Sequence, residues 1–87
     1  MSEKRVVLKK YLLSRLGKDS HVLLQQHPEN GKEICVIKKK DGNAIDARFM
    51  EAVQQQATAS KIRFNDSDSS LRLEADTEDH FNFLLKC

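Results

Sequence analysis

Residues 21–38 have the sequence HVLLQQHPENGKEICVIK, and this stretch decides the fold because it predicts a β-hairpin. Residues 21–26 are rich in strand-forming side chains. Residues 27–31 combine a proline with an Asn-Gly pair, which is typical of a tight turn. Residues 33–38 contain an uninterrupted apolar run, which indicates a strand that is buried on both faces. We therefore expect two antiparallel strands, the second of them in the centre of a sheet.

Two further segments are predicted to be helices. Residues 4–16 fit either a helix or a strand, and we favour the helix because Leu, Lys and Arg are strong helix formers. Gly17 is then a plausible stop signal. Residues 43–59 carry apolar side chains at i, i+4 spacing, which predicts an amphipathic helix with Asn43 as its N-cap.

The rest of the chain predicts a second hairpin and a last helix. Residues 61–64 and 71–75 alternate apolar and polar side chains, as half-buried strands do. The Asn-, Asp- and Ser-rich stretch between them is typical of a turn. A short helix is expected from about Thr77, capped there or at Asp76. Its inward-facing residues are predicted to be Phe81, Leu84 and Leu85.

The predicted order of elements is (α)ββαββα within a single domain spanning residues 1–87. This order predicts a small α+β two-layer sandwich. Its four-stranded, mostly antiparallel sheet is built from two hairpins, with two or three helices packed on one face. The opposite face is expected to be partly solvated or used for association. Arg63, Arg72 and Glu74 are the partner-binding residues predicted to lie on it.

The composition indicates a soluble globular domain, with 39% hydrophobic and 32% charged residues. No apolar run approaches the ~20 residues of a transmembrane helix, and the N-terminal residues do not resemble a secretion signal. Two cysteines do not make a disulfide framework. We therefore expect a cytoplasmic protein, or a nuclear one if the source is eukaryotic, that is neither secreted nor bound to a membrane.

The sequence predicts neither an enzyme nor a metal or cofactor site. The histidines and cysteines lack zinc-site spacing, and Asp66-Ser67-Asp68 is not followed by the Gly and Glu of a calcium loop. Cys35 lies inside the apolar run, which indicates an inert buried thiol. The chain contains no Gly-rich phosphate loop and no Gly-x-Ser-x-Gly motif.

Charge is distributed unevenly along the chain, although the net charge is only +2. Residues 1–40 hold ten Lys and Arg against four Asp and Glu, whereas residues 41–87 hold five against nine. If the basic segments meet in space, they would form a patch able to neutralise phosphates. The candidate nucleic-acid-binding residues are Lys9, Lys10, Lys38, Lys39 and Lys40.

Three functions are compatible with these features. The first is a non-enzymatic binding module, regulatory or adaptor-like, that contacts another protein or a second copy of itself. The second is a DNA- or RNA-binding protein that uses the basic patch, although no aromatic residues interleave the lysines for base stacking. The third is a small inhibitor or immunity-type protein with an acidic face. That face would contain Asp66, Asp68, Glu74, Asp76, Glu78 and Asp79.

Overall fold

The computed structural model describes residues 3–87 and contains a four-stranded antiparallel sheet and three helices. The third helix is a 3₁₀ helix, and a short 3₁₀ turn, Lys40–Gly42, follows the first hairpin. The order αββαββα confirms the predicted α+β fold class. In chain order the elements are α1 (Glu3–Leu16), β1 (Ser20–Gln26), β2 (Glu33–Lys39), α2 (Ala47–Ala59), β3 (Arg63–Asp66), β4 (Ser70–Ala75) and the 3₁₀ helix (Glu78–Lys86).

The strands are arranged in the order β1-β2-β4-β3, so the second strand of each hairpin lies in the centre of the sheet. The central position of β2 confirms the prediction made from its apolar run. Each hairpin follows a helix, and the two helix–hairpin units are arranged around the β2–β4 pair in the same way. The topology therefore repeats, although the two units share little residue identity.

The register of the strands assigns each side chain to one of two faces. Cys35 lies opposite Leu24 on β1 and Leu73 on β4, and these three side chains share the face on which the helices pack. We call this the inner face. Val36 lies opposite Leu23 and Arg72, and because successive side chains alternate, this set points away from the helices. We call the second surface the outer face.

The hydrophobic core fills the space between the inner face and the three helices. Helix α1 buries Leu8, Leu12 and Leu16, whose i, i+4 spacing confirms the helical interpretation of residues 4–16. Gly17 ends this helix at φ 101°, a conformation that favours glycine. The other helical residues in the core are Phe49, Val53, Ala57, Phe81 and Leu84.

The N-cap of helix α2 lies three residues later than predicted, at Asp46 and not at Asn43. The cap is Asp46, whose carboxylate Oδ1 accepts hydrogen bonds from the amides of Arg48 at 2.8 Å and Phe49 at 3.2 Å. Asn43 instead has extended backbone angles after the 3₁₀ turn. These two hydrogen bonds, together with the nearby Arg15, hold the pKa of Asp46 below its usual value.

Two other predictions near element ends were wrong. Strand β3 begins at Arg63 and not at Lys61, because Lys61 has a φ of 58° and the Ile62 amide donates to the Ala57 carbonyl at 2.8 Å. Leu85 was expected in the core but is 41% exposed, whereas Leu84 is fully buried. The tighter winding of a 3₁₀ helix, three residues per turn, turns Leu85 outward.

Candidate interaction surface

The outer face is an open surface of eleven side chains. The helical residues of the core contact the opposite side of the sheet. Among the buried hydrophobic residues of the strands in residues 3–87, Ile34 is the one outside that core cluster. Pairing register assigns to the outer face His21, Leu23, Gln25, Ile34, Val36, Lys38, Arg63, Asn65, Ser70, Arg72 and Glu74. Three of these are cations and one is a carboxylate, so the outer face is positively charged.

One corner of the outer face is apolar. Leu23 on β1 lies directly opposite Val36 on β2, and Ile34 lies two residues before Val36 on the same side of that strand. Leu23 is 48% exposed and Val36 is half-buried, while Ile34 is only 4% exposed between its cross-strand neighbours. We call these three residues the apolar corner. It offers a small hydrophobic contact area to another molecule.

The three cations form a line across the sheet beside this corner. Arg72 lies opposite both Val36 and Asn65. Lys38 is two residues beyond Val36 on one side, and Arg63 is two residues before Asn65 on the other. With strands about 4.8 Å apart and same-face residues about 6.8 Å apart, neighbouring cations are separated by about 8 Å at the backbone. We call Lys38, Arg72 and Arg63 the cationic diagonal.

The cations of this diagonal are weakly neutralised. Arg72 Nη1 lies 3.7 Å from Glu74 Oε2, and the other carboxylate oxygen of Glu74 lies 3.7 Å from Lys32 Nζ. Ion pairs near the surface with an N···O distance of 3.7 Å contribute little to stability, so Glu74 neutralises Arg72 only weakly. Within residues 3–87, Lys38 and Arg63 have no ion pair within 4.0 Å. Two of the three positive charges are thus available to a partner.

A surface cleft lies at the β3 end of the diagonal. Its volume is about 390 Å³, and Arg63, Phe64, Asn65, Arg72 and Glu74 line it. The structure thus brings together Arg63, Arg72 and Glu74, the three residues that the sequence predicted for a partner. Their role in binding stays a prediction.

The five lysines proposed for nucleic-acid binding are divided among several surfaces. Lys9 and Lys10 are exposed on α1 in the helical layer, whereas Lys38 lies on the outer face. Lys40 is exposed in the 3₁₀ turn. The triplet at 38–40 is therefore divided, because successive side chains of a strand point to opposite faces. The structure does not bring these five residues into one patch.

Lys39 has a structural contact of its own. Its Nζ donates hydrogen bonds to the Leu16 carbonyl at 2.7 Å and to Asp19 Oδ1 at 2.8 Å. The ammonium group thus caps a carbonyl at the C-terminal end of α1, where a positive charge is favourable, and the Ser20 hydroxyl donates to the same carbonyl at 3.4 Å. The hydrogen bond from Lys39 lowers the pKa of Asp19. Lys39 therefore has a structural role at the end of α1, and its contact with nucleic acid stays a prediction.

The acidic residues proposed for an inhibitor face are also dispersed. Asp66 and Asp68 lie at the β3–β4 turn, next to the first residue of β4, whereas Glu78 and Asp79 follow its last residue. Asp79 pairs with Lys4, and Glu78 Oε2 lies 3.3 Å from Arg5 Nε. The end residues of a six-residue strand are about 17 Å apart, so these carboxylates do not form one surface.

Cys35 and His80 are held by contacts that belong to the fold itself. Cys35 is fully buried, and burial raises the pKa of its thiol to about 12. His80 lies in the first turn of the 3₁₀ helix and forms a capping box with Thr77. Within residues 3–87, no group of three or more His, Cys, Asp or Glu side chains is arranged to hold a metal ion.

The helices of this fold are short and amphipathic. Across residues 3–87, none of them has both the length and the apolar character that a crossing of the bilayer requires.

Comparisons with known protein families, with curated proteins and with solved structures found no match to this chain. The observations that bear on function are therefore the geometry and charge of the outer face.

Sequence reasoning missed the apolar corner and the cationic diagonal as connected features. The signal was present in part, because Leu23 and Val36 have apolar side chains in strands that were correctly predicted. What was missing was the pairing of β2 with β4, which brings Lys38 into line with Arg72 and Arg63. That pairing joins residues more than 30 positions apart and leaves no local pattern in the sequence.

Proposed function

We propose that this protein is a non-enzymatic binding module that contacts another protein through its outer face. The observation that carries the proposal is the combination of the apolar corner with the cationic diagonal on a sheet face that no helix of the core covers. Protein interfaces commonly join an apolar centre to a charged rim, which excludes wrong partners and accelerates encounter. A regulatory or adaptor-like role is consistent with recognition by surface contact.

Nucleic acid is a weaker candidate for the same surface. Proteins that bind single-stranded nucleic acid on a sheet combine positive charge with aromatic side chains that stack on bases. The eleven residues of the outer face include no Phe, Tyr or Trp, and His21 at the end of β1 is their one aromatic ring. The division of the five candidate lysines between faces also favours a protein partner over a phosphate backbone.

The proposal places the protein in a reducing compartment, the cytoplasm or the nucleus. This choice of compartment is supported by the two free cysteines of the described chain, Cys35 and Cys87. Structural disulfides are rare in those compartments, where thiols are kept reduced.

Site-specific photo-crosslinking tests the use of the outer face. A p-benzoylphenylalanine residue in place of Leu23 is expected to cross-link a discrete partner protein in the native cell. The matched control carries the same group at Val7, which is 55% exposed on α1 in the helical layer. A partner captured from Leu23 and not from Val7 supports the proposal. Equal capture from both sites, or none from Leu23, contradicts it.

A further inference from the structure

The outer face offers side chains rather than backbone groups to a partner. Strands β2 and β4 are paired on both sides, so their amides and carbonyls are used within the sheet. An extended segment lying across this surface would therefore bury backbone groups without hydrogen-bond partners, which is costly. A helix satisfies its own backbone, so it is the element best suited to lie on the face of a sheet.

The charge of the outer face defines the chemistry of that helix. The cationic diagonal presents three positive charges, and Glu74 is the one carboxylate among the outer-face side chains. Glu74 already lies between Arg72 and Lys32. Complementarity therefore calls for carboxylates on the partner, opposite Lys38, Arg72 and Arg63.

Resting on the proposed function, we infer that the partner contributes an acidic amphipathic α-helix. Apolar residues of that helix pack on Leu23 and Val36, and its Asp or Glu side chains face the cationic diagonal. The step of about 8 Å between cations corresponds to five or six residues of a helix that rises about 1.5 Å per residue. Carboxylates separated by four to seven residues along one helix edge can therefore reach successive cations.

A second copy of this chain is a poor occupant of the same surface. In a two-fold symmetric contact the same surface patch is used by both subunits. The cationic diagonal of one copy would then lie close to that of the other, and the like charges would repel. An acidic helix avoids this repulsion and also provides the apolar contact.

A synthetic peptide of defined pattern tests the inference on the full chain. The probe has about 18 residues, with Leu at i, i+3, i+4 and i+7 spacing and Glu along one flank. A peptide of the same composition in scrambled order is the control. Binding is measured by fluorescence anisotropy at about 50 mM and about 300 mM salt. The patterned peptide is expected to bind, and its affinity is expected to fall as salt rises.

Substitutions locate the peptide on the surface. Arg72→Glu is expected to weaken binding about tenfold because it reverses the central charge of the diagonal. Arg63→Glu provides an independent reversal if the first variant folds poorly, and circular dichroism checks both. Lys10→Glu makes the same charge change at an exposed position of α1 and is expected to alter affinity less than about twofold. Leu23→Ser is expected to weaken binding without changing the salt dependence.

Four results would overturn the inference. The first is no binding of the patterned peptide up to about 1 mM. The second is equal binding of the scrambled peptide, and the third is equal effects of Arg72→Glu and Lys10→Glu. The fourth is Arg72-dependent binding of a single-stranded oligonucleotide in place of the peptide. If Leu23 still cross-links a partner protein when the peptide fails, the acidic helix is wrong while the proposed binding role stands.

Discussion

The salt bridge between Arg5 and Glu33 provides a quantitative test of how the helical layer is attached to the sheet. Arg5 on α1 donates from Nη2 to both carboxylate oxygens of Glu33 on β2, at 2.6 and 2.8 Å. The Glu33 side chain is 10% exposed and that of Arg5 is 23% exposed. Arg5→Leu would therefore leave the nearly buried Glu33 without its cation, and it would also remove the contact of Arg5 with the more exposed Glu78.

The expected loss of stability lies between two known limits. Removing one partner of a fully buried ion pair costs about 3–5 kcal/mol, whereas an exposed pair contributes about 0–1 kcal/mol. Because the Arg5–Glu33 pair is mostly but not fully buried, we expect Arg5→Leu to lower the free energy of unfolding by about 2–3 kcal/mol. For a chain of this size, that loss corresponds to a Tm lower by roughly 10–20 °C.

Thermal and urea unfolding followed by circular dichroism measure this loss. The matched control is Lys4→Met, because Lys4 and its partner Asp79 are both exposed, and we expect it to leave the Tm unchanged. The double substitution Arg5→Leu with Glu33→Leu removes both charges and should recover much of the lost stability. The reasoning is refuted if Arg5→Leu matches the control, or if the double variant is less stable than the single one.

Three further predictions concern single side chains. Leu84→Ala should cost about 2–5 kcal/mol of unfolding free energy and Leu85→Ala less than about 1 kcal/mol, because only Leu84 is buried. Equal costs in denaturant titrations would place Leu85 in the core after all. At about pH 8, a thiol reagent should modify Cys87 first and reach Cys35 only on unfolding, because Cys35 is buried and its pKa is about 12. Rapid modification of both thiols in the native chain would contradict this assignment. Asp46→Ala should lower the Tm near neutral pH, and its difference from the parent chain should shrink as pH falls. The sign follows because a carboxyl with a lowered folded-state pKa stabilises above its unfolded pKa and loses that effect through its folded pKa. A difference that is constant down to about pH 2 would show that the charge of Asp46 is not involved.

Local patterns in the sequence predicted the type of each main element. The turn at 27–31 and the apolar run that follows it predicted the first hairpin and the central position of β2. These features depend on residues close together in the chain, such as the Asn-Gly pair of the turn. Predictions of element ends were poorer, because the cap of α2 depends on which carboxylate reaches two specific amides.

The sequence by itself determined the fold class, the helix–hairpin order and the burial of Cys35, because each follows from local propensity and periodicity. It also predicted that Arg63, Arg72 and Glu74 share the solvent side of the second hairpin. Only the tertiary structure decided which basic residues stand together. Antiparallel pairing of β2 with β4 aligns Lys38 with Arg72 and Arg63, while the alternation along β2 turns Lys39 toward Leu16 and Asp19. Such long-range pairing depends on packing of the whole core, which no short stretch of sequence encodes.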